Sequence, residues 1–501
     1  MKRQWVKAIA LTLTLAGCAM GPDYHKPKLW TPKQWLPQSQ RAEGKVSSVP
    51  TTQQAPDPNW WSVFHDKELT SLEDRLSRQN LDILRAAQTV AVSRGQLLIA
   101  NAERFPNLAA SGSYSYTQFS TKEMQYILKH VGASAAGTKL GDMLTAEASD
   151  ATIPLLNRWQ DSLRASWEVD LWGRVRRQYE AAKAYMRATR EEQRGILIAR
   201  QAELASDYIA LRNMQEQLRI TKANRETADS LLKLSESRYK TGLVNRLDVE
   251  SARSELERTS ALIPQQEQRI AMQMNAIALL MGAPPGALDA ELQRTSTIPL
   301  VPPNPPIGVP SQLAERRPDI REAEEELHAA TAEIGQAMAD FYPKVVIDSG
   351  FGFQALSFRD LGFWNARAWN VGPSITLPIF QGGRLVGQLR MKKAAQRSAA
   401  LNYRKTVLNA WREVTNALVA YQAEQRRAQR IQSQVAANNR ALELAKSRYK
   451  CGLQNYLPVL DAQRRVLQSQ TELALSTATV ADDLVRLYNA LGGGWQQTLP
   501  K

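Results

Sequence analysis

Residues 238–245 read RYKTGLVN, and 210 residues later the chain reads RYKCGLQN at 448–455. Nine of the fifteen positions in 238–252 are identical to their partners at this offset. The register continues without a gap to Gly282 and Gly492, each of which ends a helical pattern. Self-similarity of this kind indicates an internal duplication rather than two unrelated domains.

The same order of motifs precedes the repeated stretch in both halves. Phe-Pro at 105–106 corresponds to Phe-Tyr-Pro at 341–343, and LWGR at 171–174 corresponds to IFQGGR at 379–384. Each half is therefore expected to run helix, strand, loop, strand, very long helix, tight turn and long helix. We expect six segments along the chain. They are a lipoprotein signal peptide at 1–17, a lipidated strap at 18–60, a first repeat at 61–297, a Pro-rich connector at 298–310, a second repeat at 311–492 and a tail at 493–501.

The helical segments are unusually long. The stretch from Arg174 to Tyr239 contains no proline and a single interior glycine, and 383–450 has the same character. At 1.5 Å per residue, about 65 helical residues span roughly 100 Å, several times the diameter of a globular domain. Apolar residues recur thinly along these segments, which favours coiled-coil packing against neighbouring helices over burial in a wide core.

A tight turn is expected between the two long helices of each half. Gly242 and Gly452 stand where a helix would end with a residue of positive φ. Asn245 and Asn455 are expected to help start the returning helices. Two antiparallel helical hairpins result, one in each half.

The strands alternate apolar and polar side chains. In 163–171, LRASWEVDL, one face carries Leu, Ala, Trp, Val and Leu, and the other carries Arg, Ser, Glu and Asp. The apolar faces expected for the third and fourth strands are Val345, Ile347, Phe351 and Phe353, and Val371, Ile375, Leu377 and Ile379. Such alternation is typical of a transmembrane barrel, although a half-buried sheet in a soluble domain gives the same pattern.

Four strands per chain cannot close a membrane barrel, because known barrels start at eight strands. An open strand edge is not tolerated in hydrocarbon either. If the strands insert, the barrel must be shared between chains, with eight strands for a dimer or twelve for a trimer. An eight-stranded barrel is filled by its own side chains, so a conducting pore favours twelve strands.

The N-terminus predicts an export signal. Lys2, Arg3 and Lys7 precede an apolar stretch at 8–15 that is too short to span a bilayer. LAGC at 15–18 has the pattern in which the cysteine is lipid-modified and becomes the mature N-terminus, so a covalent lipid is expected on Cys18. The alternative is an ordinary signal peptide that contains a cysteine.

Composition excludes several classes of protein. The chain of 501 residues has a mean hydropathy of −0.40 and lacks an uncharged apolar run of 18 residues after the signal, which argues against several membrane-spanning helices. The net charge of +15 is spread along the chain and does not predict a nucleic-acid partner. Two cysteines exclude a disulfide framework.

No catalytic or metal-binding pattern stands out. The sequence contains no nucleophile elbow, phosphate loop or dinucleotide fingerprint. The four histidines are scattered and lack Glu or Cys at metal-ligand spacing; they are His25, His65, His130 and His328. The chain is therefore not expected to be an enzyme or to hold a metal or another cofactor.

Several longer motifs resemble those of TolC-like outer-membrane efflux factors, and most closely their OprM/NodT lipoprotein branch. LAERRPDI at 313–320, followed by FYP at 341–343, is similar to the signature of these proteins. WEVDLWGR at 167–174, NYLPVLDAQR at 455–464 and LYNALGGGW at 487–495 match as well. The resemblance runs in order from about Pro22 to Trp495.

The resemblance implies an α+β membrane protein. Three chains would form a 12-stranded β-barrel, four strands per chain, continued by a long α-helical coiled-coil tunnel through the periplasm. Such a homotrimer in the outer membrane passively conducts drugs or other small toxic molecules as part of a tripartite efflux pump. Its partners would be a periplasmic membrane-fusion adaptor and an inner-membrane pump of the resistance-nodulation-division or major-facilitator type.

The resemblance also carries site residues over to this chain. The helical tips would contact the adaptor, through Thr241, Gly242, Leu243, Cys451, Gly452 and Leu453. A periplasmic gate near the tips would include an inward ring of Leu457, Asp461 and Arg464, with Asp248 and Tyr449 as candidates for latching neighbouring coils. Pro458 departs from the family pattern and would either kink the returning helix or lie harmlessly in its first turn.

Two other functions stay open. A duct for type I protein secretion would share the fold. A structural coiled-coil lipoprotein would explain the long helices and the lipid, but not the four alternating strands. For Asp461 alone, a solvated helix face is the simplest explanation in the absence of the family resemblance.

Overall fold

The computed structural model describes most of the chain. The described residues are 19–27, 59–118, 122, 126, 130, 156–294, 296–301 and 313–493. Cys18, the signal peptide, most of the strap, most of the Pro-rich connector and the tail from 494 onward lie outside the described residues.

The helices and strands follow the order expected for a duplicated chain. The longer helices are α1 Lys67–Gln79, α2 Leu81–Ala102, α3 Arg174–Lys240, α4 Arg246–Leu280, α5 Pro318–Ala339, α6 Arg384–Lys450 and α7 Leu457–Ala490, and two short helices span Asp289–Leu292 and Leu313–Arg316. The strands are β1 Asn107–Thr117, β2 Leu156–Val169, β3 Lys344–Ala355 and β4 Arg367–Thr376. Helices α3 and α6 have 67 residues each. Their bounds differ by the same offset as the sequence repeat.

The described residues form two compact units, and each unit takes segments from both halves of the chain. The sheet unit comprises the described residues of 1–24, 95–183 and 329–396. The helical unit comprises those of 25–94, 184–328 and 397–501.

Both hairpin turns have the backbone that the repeat predicts. Gly242 has a φ of 71° and Gly452 a φ of 74°. The N–H of Leu243 donates to the carbonyl of Arg238, five residues earlier, and the second turn repeats this bond. These are the bonds of a helix end that is closed by a left-handed glycine.

The two returning helices start in different ways. The Asn245 side chain accepts a hydrogen bond from the backbone N–H of Asp248 at 3.0 Å, as expected for a helix cap. The same expectation for Asn455 is wrong. Helix α7 begins at Leu457 after Tyr456, which makes no side-chain cap, and Pro458 lies in its first turn. Proline is tolerated there because the first N–H groups of a helix have no intrahelical acceptor.

The sheet is antiparallel with the strand order β1-β2-β3-β4. Directly paired residues share a face, and one face is apolar across all four strands. One row of this face consists of Ala110, Leu163, Phe351 and Trp369. The exposed apolar side chains of the face include Leu108, Tyr114, Tyr116, Trp167, Ile347, Val371 and Ile375. Asp161 interrupts the pattern, and its carboxylate accepts a hydrogen bond from the N–H of Phe353 at 2.8 Å.

Two strands end earlier than the alternation predicts. Leu171 lies beyond β2, because the preceding Asp170 accepts a hydrogen bond from the N–H of Arg176 at 2.8 Å and so belongs to the start of α3. Leu377 and Ile379 lie beyond β4. Pro378 separates them and has no N–H to donate to a strand partner.

Trp172 joins the two matching motifs of the sheet unit. Its ring stacks on Tyr342 with 4.8 Å between centroids, and its indole N–H donates to the carbonyl of Pro343 at 2.9 Å. The two repeats therefore meet where each passes between helix and strand. In the described part of the chain, no helix combines the length and the hydropathy needed to cross a bilayer.

Candidate functional site

The tips of the two helical hairpins share one apolar core. Its buried residues come from the ends of both long helices and the starts of both returning helices. They are Leu231, Leu232, Val249, Ala252, Leu442, Tyr449, Tyr456, Val459, Leu460 and Val466. This tip core holds the two hairpins of one chain together, because separating them would expose apolar surface to water.

Tyr449 lies at the centre of the tip core and is 0% exposed. Its hydroxyl is 3.1 Å from that of Ser235 on α3, and either group can donate. The Arg238 guanidinium lies 4.8 Å from the ring centroid and donates to the backbone carbonyls of Tyr449 and Lys450. Tyr456 packs edge-on against the ring at 5.6 Å. Burial raises the pKa of Tyr449, so its hydroxyl stays protonated and can donate.

Asp248 lies close to this contact, in the first turn of α4. It is half-buried, and burial raises the pKa of its carboxyl, while the positive charge of Arg238 acts in the opposite direction. Arg238 therefore interacts with both predicted latch residues, through the ring and carbonyl of Tyr449 and through the charge of Asp248.

Arg464 crosses from α7 to α4. Its Nε donates to Glu255 at 2.9 Å, and Arg258 donates to the same carboxylate. Glu255 is only 1% exposed. Burial alone would raise the pKa of Glu255, but the hydrogen bonds and charges of Arg258 and Arg464 outweigh it and lower the pKa. The carboxylate is therefore ionised and ties the two hairpins together.

All three members of the predicted ring are exposed, Arg464 included. Asp461 is exposed and pairs with Arg465, one turn further along α7, at 2.9 Å. Leu457 is 66% exposed. Within one chain, Asp461 and Arg464 have different charge partners.

The predicted adaptor-contact residues occupy the two turns. Thr241 to Leu243 and Cys451 to Leu453 are all exposed, and Leu243 and Leu453 present large apolar side chains to solvent. Cys451 carries a free, exposed thiol.

Sequence reasoning missed several residues of this site: Ser235, Arg238, Glu255, Tyr456 and Arg465. Arg238 lies in the repeated motif, and that repetition could have drawn attention to it. The ion pair of Glu255 with Arg464 joins residues 209 positions apart, and no local pattern in one sequence signals it.

In the sheet unit, a second set of contacts fixes residues 20–23, which are among the first described residues of the chain. Arg177, whose side chain is 5% exposed, donates to the carbonyl of Met20 at 3.2 Å and to Asp23 at 2.7 Å. Gly21 has a φ of 91°, and a Cβ on it would stand 2.4 Å from the Cα of Gly335. No larger residue fits there without moving the backbone.

Among the described residues, no group of three or more His, Cys, Asp or Glu side chains is placed to hold a metal ion.

Comparisons with known proteins cover both halves of the chain. A family model described as outer membrane efflux protein matches residues 72–283 and 309–493. The chain is 32% identical over 486 residues to the solvent efflux pump outer membrane protein SrpC of Pseudomonas putida, which spans 96% of the chain and 97% of that protein. It is 30% identical over 488 residues to the cation efflux system protein CusC of Escherichia coli O6:H1, with 97% and 98% covered.

Solved structures give the same result. The outer-membrane channel OprN superimposes with a TM-score of 0.83 at 29% identity, covering 96% of the chain and all of the OprN chain. A CusC structure superimposes with a TM-score of 0.77 at 27% identity, covering 95% of the chain and all of that chain. Both matches include the sheet and the helical hairpins.

Proposed function

Because the chain belongs to the outer membrane efflux protein family, we propose which of its residues close, dock and anchor the channel that this family forms. The expected fold class, a trimeric channel with a 12-stranded barrel and a helical tunnel, is confirmed. The chain is the outer-membrane channel component of a tripartite efflux pump. Members of this family are channels rather than enzymes.

The proposed gate is the set of contacts at the hairpin tips. Tyr449, held by Ser235 and Arg238, and Glu255, held by Arg464, fix the second hairpin against the first. With these contacts made, the exposed Leu457 and Asp461 of three chains would form a ring around the tunnel axis. Three carboxylates at a constriction would influence which ions pass, although each is also paired with Arg465. Opening then requires the tip contacts to break.

The proposed docking surface is the pair of exposed turns. Leu243 and Leu453 offer apolar side chains at positions where each helix ends, and the neighbouring residues of the turns are small or polar: Thr241, Gly242, Cys451 and Gly452. A periplasmic membrane-fusion adaptor with apolar helical ends would bury the two leucines. The inner-membrane pump would be of the resistance-nodulation-division or major-facilitator type.

The proposed anchor is a lipid on Cys18. The support for it is the sequence pattern at 15–18 together with the contacts of the residues that follow. Arg177 and Gly335 hold residues 20–23 against the sheet unit. These held residues follow Cys18 closely along the chain. Palmitate labelling that persists in Cys18→Ser would contradict this proposal.

The proposed cargo is small molecules. The relatives at about 30% identity are named for cations and for solvents, and we extend that size class to this chain. A duct for protein secretion and a structural coiled-coil lipoprotein are the two alternatives. Planar-bilayer recordings separate a channel from a scaffold, since a scaffold gives no current steps. Susceptibility of a deletion strain to dyes, detergents and antibiotics separates small-molecule efflux from protein secretion.

The gate proposal depends on one observation, the buried Tyr449 and its contacts with Ser235 and Arg238. Measurements of resting conductance test this proposal. Tyr449→Phe removes only the hydroxyl contact with Ser235 and should raise conductance slightly, whereas Tyr449→Ala empties the centre of the tip core and should raise it strongly. If neither variant changes the resting conductance, the gate does not lie at this residue.

A further inference from the structure

The duplicated tips contain two copies of one contact, and the described chain brings together only one copy. Arg238 of the first tip clasps Tyr449 of the second. The repeat places the same residue types at Arg448 and Tyr239, 210 positions away. Arg448 is exposed, and the ring of Tyr239 is 48% exposed.

A closed ring of three chains gives every hairpin a neighbour on each side. We call the contact between two neighbouring hairpins a seam. Seams within one chain therefore alternate with seams between chains. Because the two hairpins descend from one sequence, the seam between chains presents the same pair of faces as the seam within a chain, with the roles of the hairpins exchanged. The exposed Arg448 and Tyr239 lie on those faces.

We propose that Arg448 of one subunit clasps Tyr239 of the partner subunit, repeating between chains the contact that Arg238 makes with Tyr449 within a chain. This inference rests on the proposed tip gate. An arginine over an aromatic ring is attracted to the ring face even at a partly exposed site. It also removes the exposed tyrosine ring from water.

The other contacts of the seam within one chain have no counterparts at the matching positions of the repeat. The position that matches Ser235 is Ala445, so the hydroxyl of Tyr239 lacks the partner that Tyr449 has. The positions that match Glu255 and Arg464 are Arg465 and Ser254, so the ion pair has no counterpart.

The seam between chains therefore keeps the arginine–tyrosine clasp and lacks the other two contacts. It is the weaker of the two seams, and it is the one that separates first when the duct opens.

Cross-linking within the intact trimer tests the contact. In a Cys451→Ser background, Tyr239→Cys with Arg448→Cys is treated with a short bis-maleimide and run on a denaturing gel. We expect covalent dimers and trimers. The matched pair Arg238→Cys with Tyr449→Cys should link within one chain and leave the subunit mass unchanged.

Two results would overturn the inference in different ways. A native gel that shows the trimer, with only single chains on the denaturing gel, would refute the contact and leave the gate proposal standing. Absence of the trimer on the native gel would refute the shared ring as well.

A functional measurement complements the cross-link. Arg448→Ala should raise resting conductance, and Arg448→Lys, which keeps the cation, should raise it less. Arg426→Ala, an exposed arginine far from the tip on the same helix, should behave like the wild type. Equal conductance for Arg448→Ala and Arg426→Ala would contradict a role for this seam.

Discussion

The two hairpin tips share a sequence motif and a left-handed glycine turn, but they differ in the surroundings of their side chains. Tyr239 and Tyr449 occupy matching positions after the same arginine, yet Tyr239 is half exposed and Tyr449 is fully buried. The chain contains two copies of one turn, and the residues around the two copies differ. The difference shows that a repeated motif fixes a local conformation without fixing the role of each side chain.

The largest expected effect is the difference in stability loss between alanine substitutions of the two tyrosines. Tyr449→Ala removes a buried ring and should destabilise the tip by about 3–5 kcal/mol, in the range measured for large aromatic truncations. Tyr239→Ala removes a half-exposed ring, and the loss of stability should stay within about 1 kcal/mol, the size of a partly exposed contact between an arginine and an aromatic ring. Thermal unfolding of both variants in detergent measures the difference. Equal losses would show that burial in one chain does not distinguish the two tips.

The next effect separates the two neighbouring arginines of α7. Arg464→Ala takes one of two partners from the buried Glu255 and should cost about 1–3 kcal/mol, the penalty for leaving a buried group short of a hydrogen bond. Arg465 pairs with Asp461 at the surface, where such pairs contribute about 0–1 kcal/mol.

A double-mutant cycle with Glu255→Gln isolates the Arg464 contribution from that of Arg258. A coupling energy near zero would mean that Arg464 does not hold the tip.

The double variant Asp461→Ala with Arg464→Ala should also raise resting conductance. Unchanged conductance would show that neither residue belongs to the gate.

Low pH should weaken the contact between the two hairpins of one chain through Glu255. Its pKa in the folded chain is lowered below the ordinary value of 4.5, so the folded state holds fewer protons than the unfolded state near that pH. The resulting stability is present above about pH 4.5 and is lost as the pH falls through the folded pKa. Resting conductance should stay low from pH 7 to pH 5 and rise in stronger acid. In Glu255→Gln this rise should be smaller. A wild-type rise that begins near neutral pH would contradict the assignment.

The smallest expected effect separates the two asparagines that follow the turns. Asn245→Ala removes a helix cap and should cost about 0.5–2 kcal/mol. Asn455 does not cap α7, which begins two residues later, so Asn455→Ala should be nearly neutral. Urea unfolding of the two variants compares them directly. A loss at Asn455 as large as that at Asn245 would show that both turns are capped alike.

The sequence predicts the backbone of this protein better than its side-chain partnerships. Gly242 and Gly452 could be placed at left-handed positions because the conformation there depends on local sterics. The apolar sheet face could be predicted because strands alternate with a period of two. The strand ends at Leu171 and Leu377 could not, since the cap by Asp170 and the missing N–H of Pro378 override the alternation.

The site was predicted in part for the same reason. The turns and Tyr449 stand out through repetition and resemblance. The contacts of Glu255 with Arg464 and of Ser235 with Tyr449 depend on how two distant hairpins pack. One sequence contains no local record of that packing. The asymmetry between Tyr239 and Tyr449 is likewise invisible in the motif, because the motif is the same.

Single-channel recording in planar bilayers tests the central claim most directly. Purified wild-type protein should give discrete current steps of low conductance, and Tyr449→Ala should give larger steps while Tyr239→Ala gives a smaller increase. A preparation that inserts as a trimer but gives no steps, or gives the same steps in all three proteins, would contradict a channel closed by its hairpin tips.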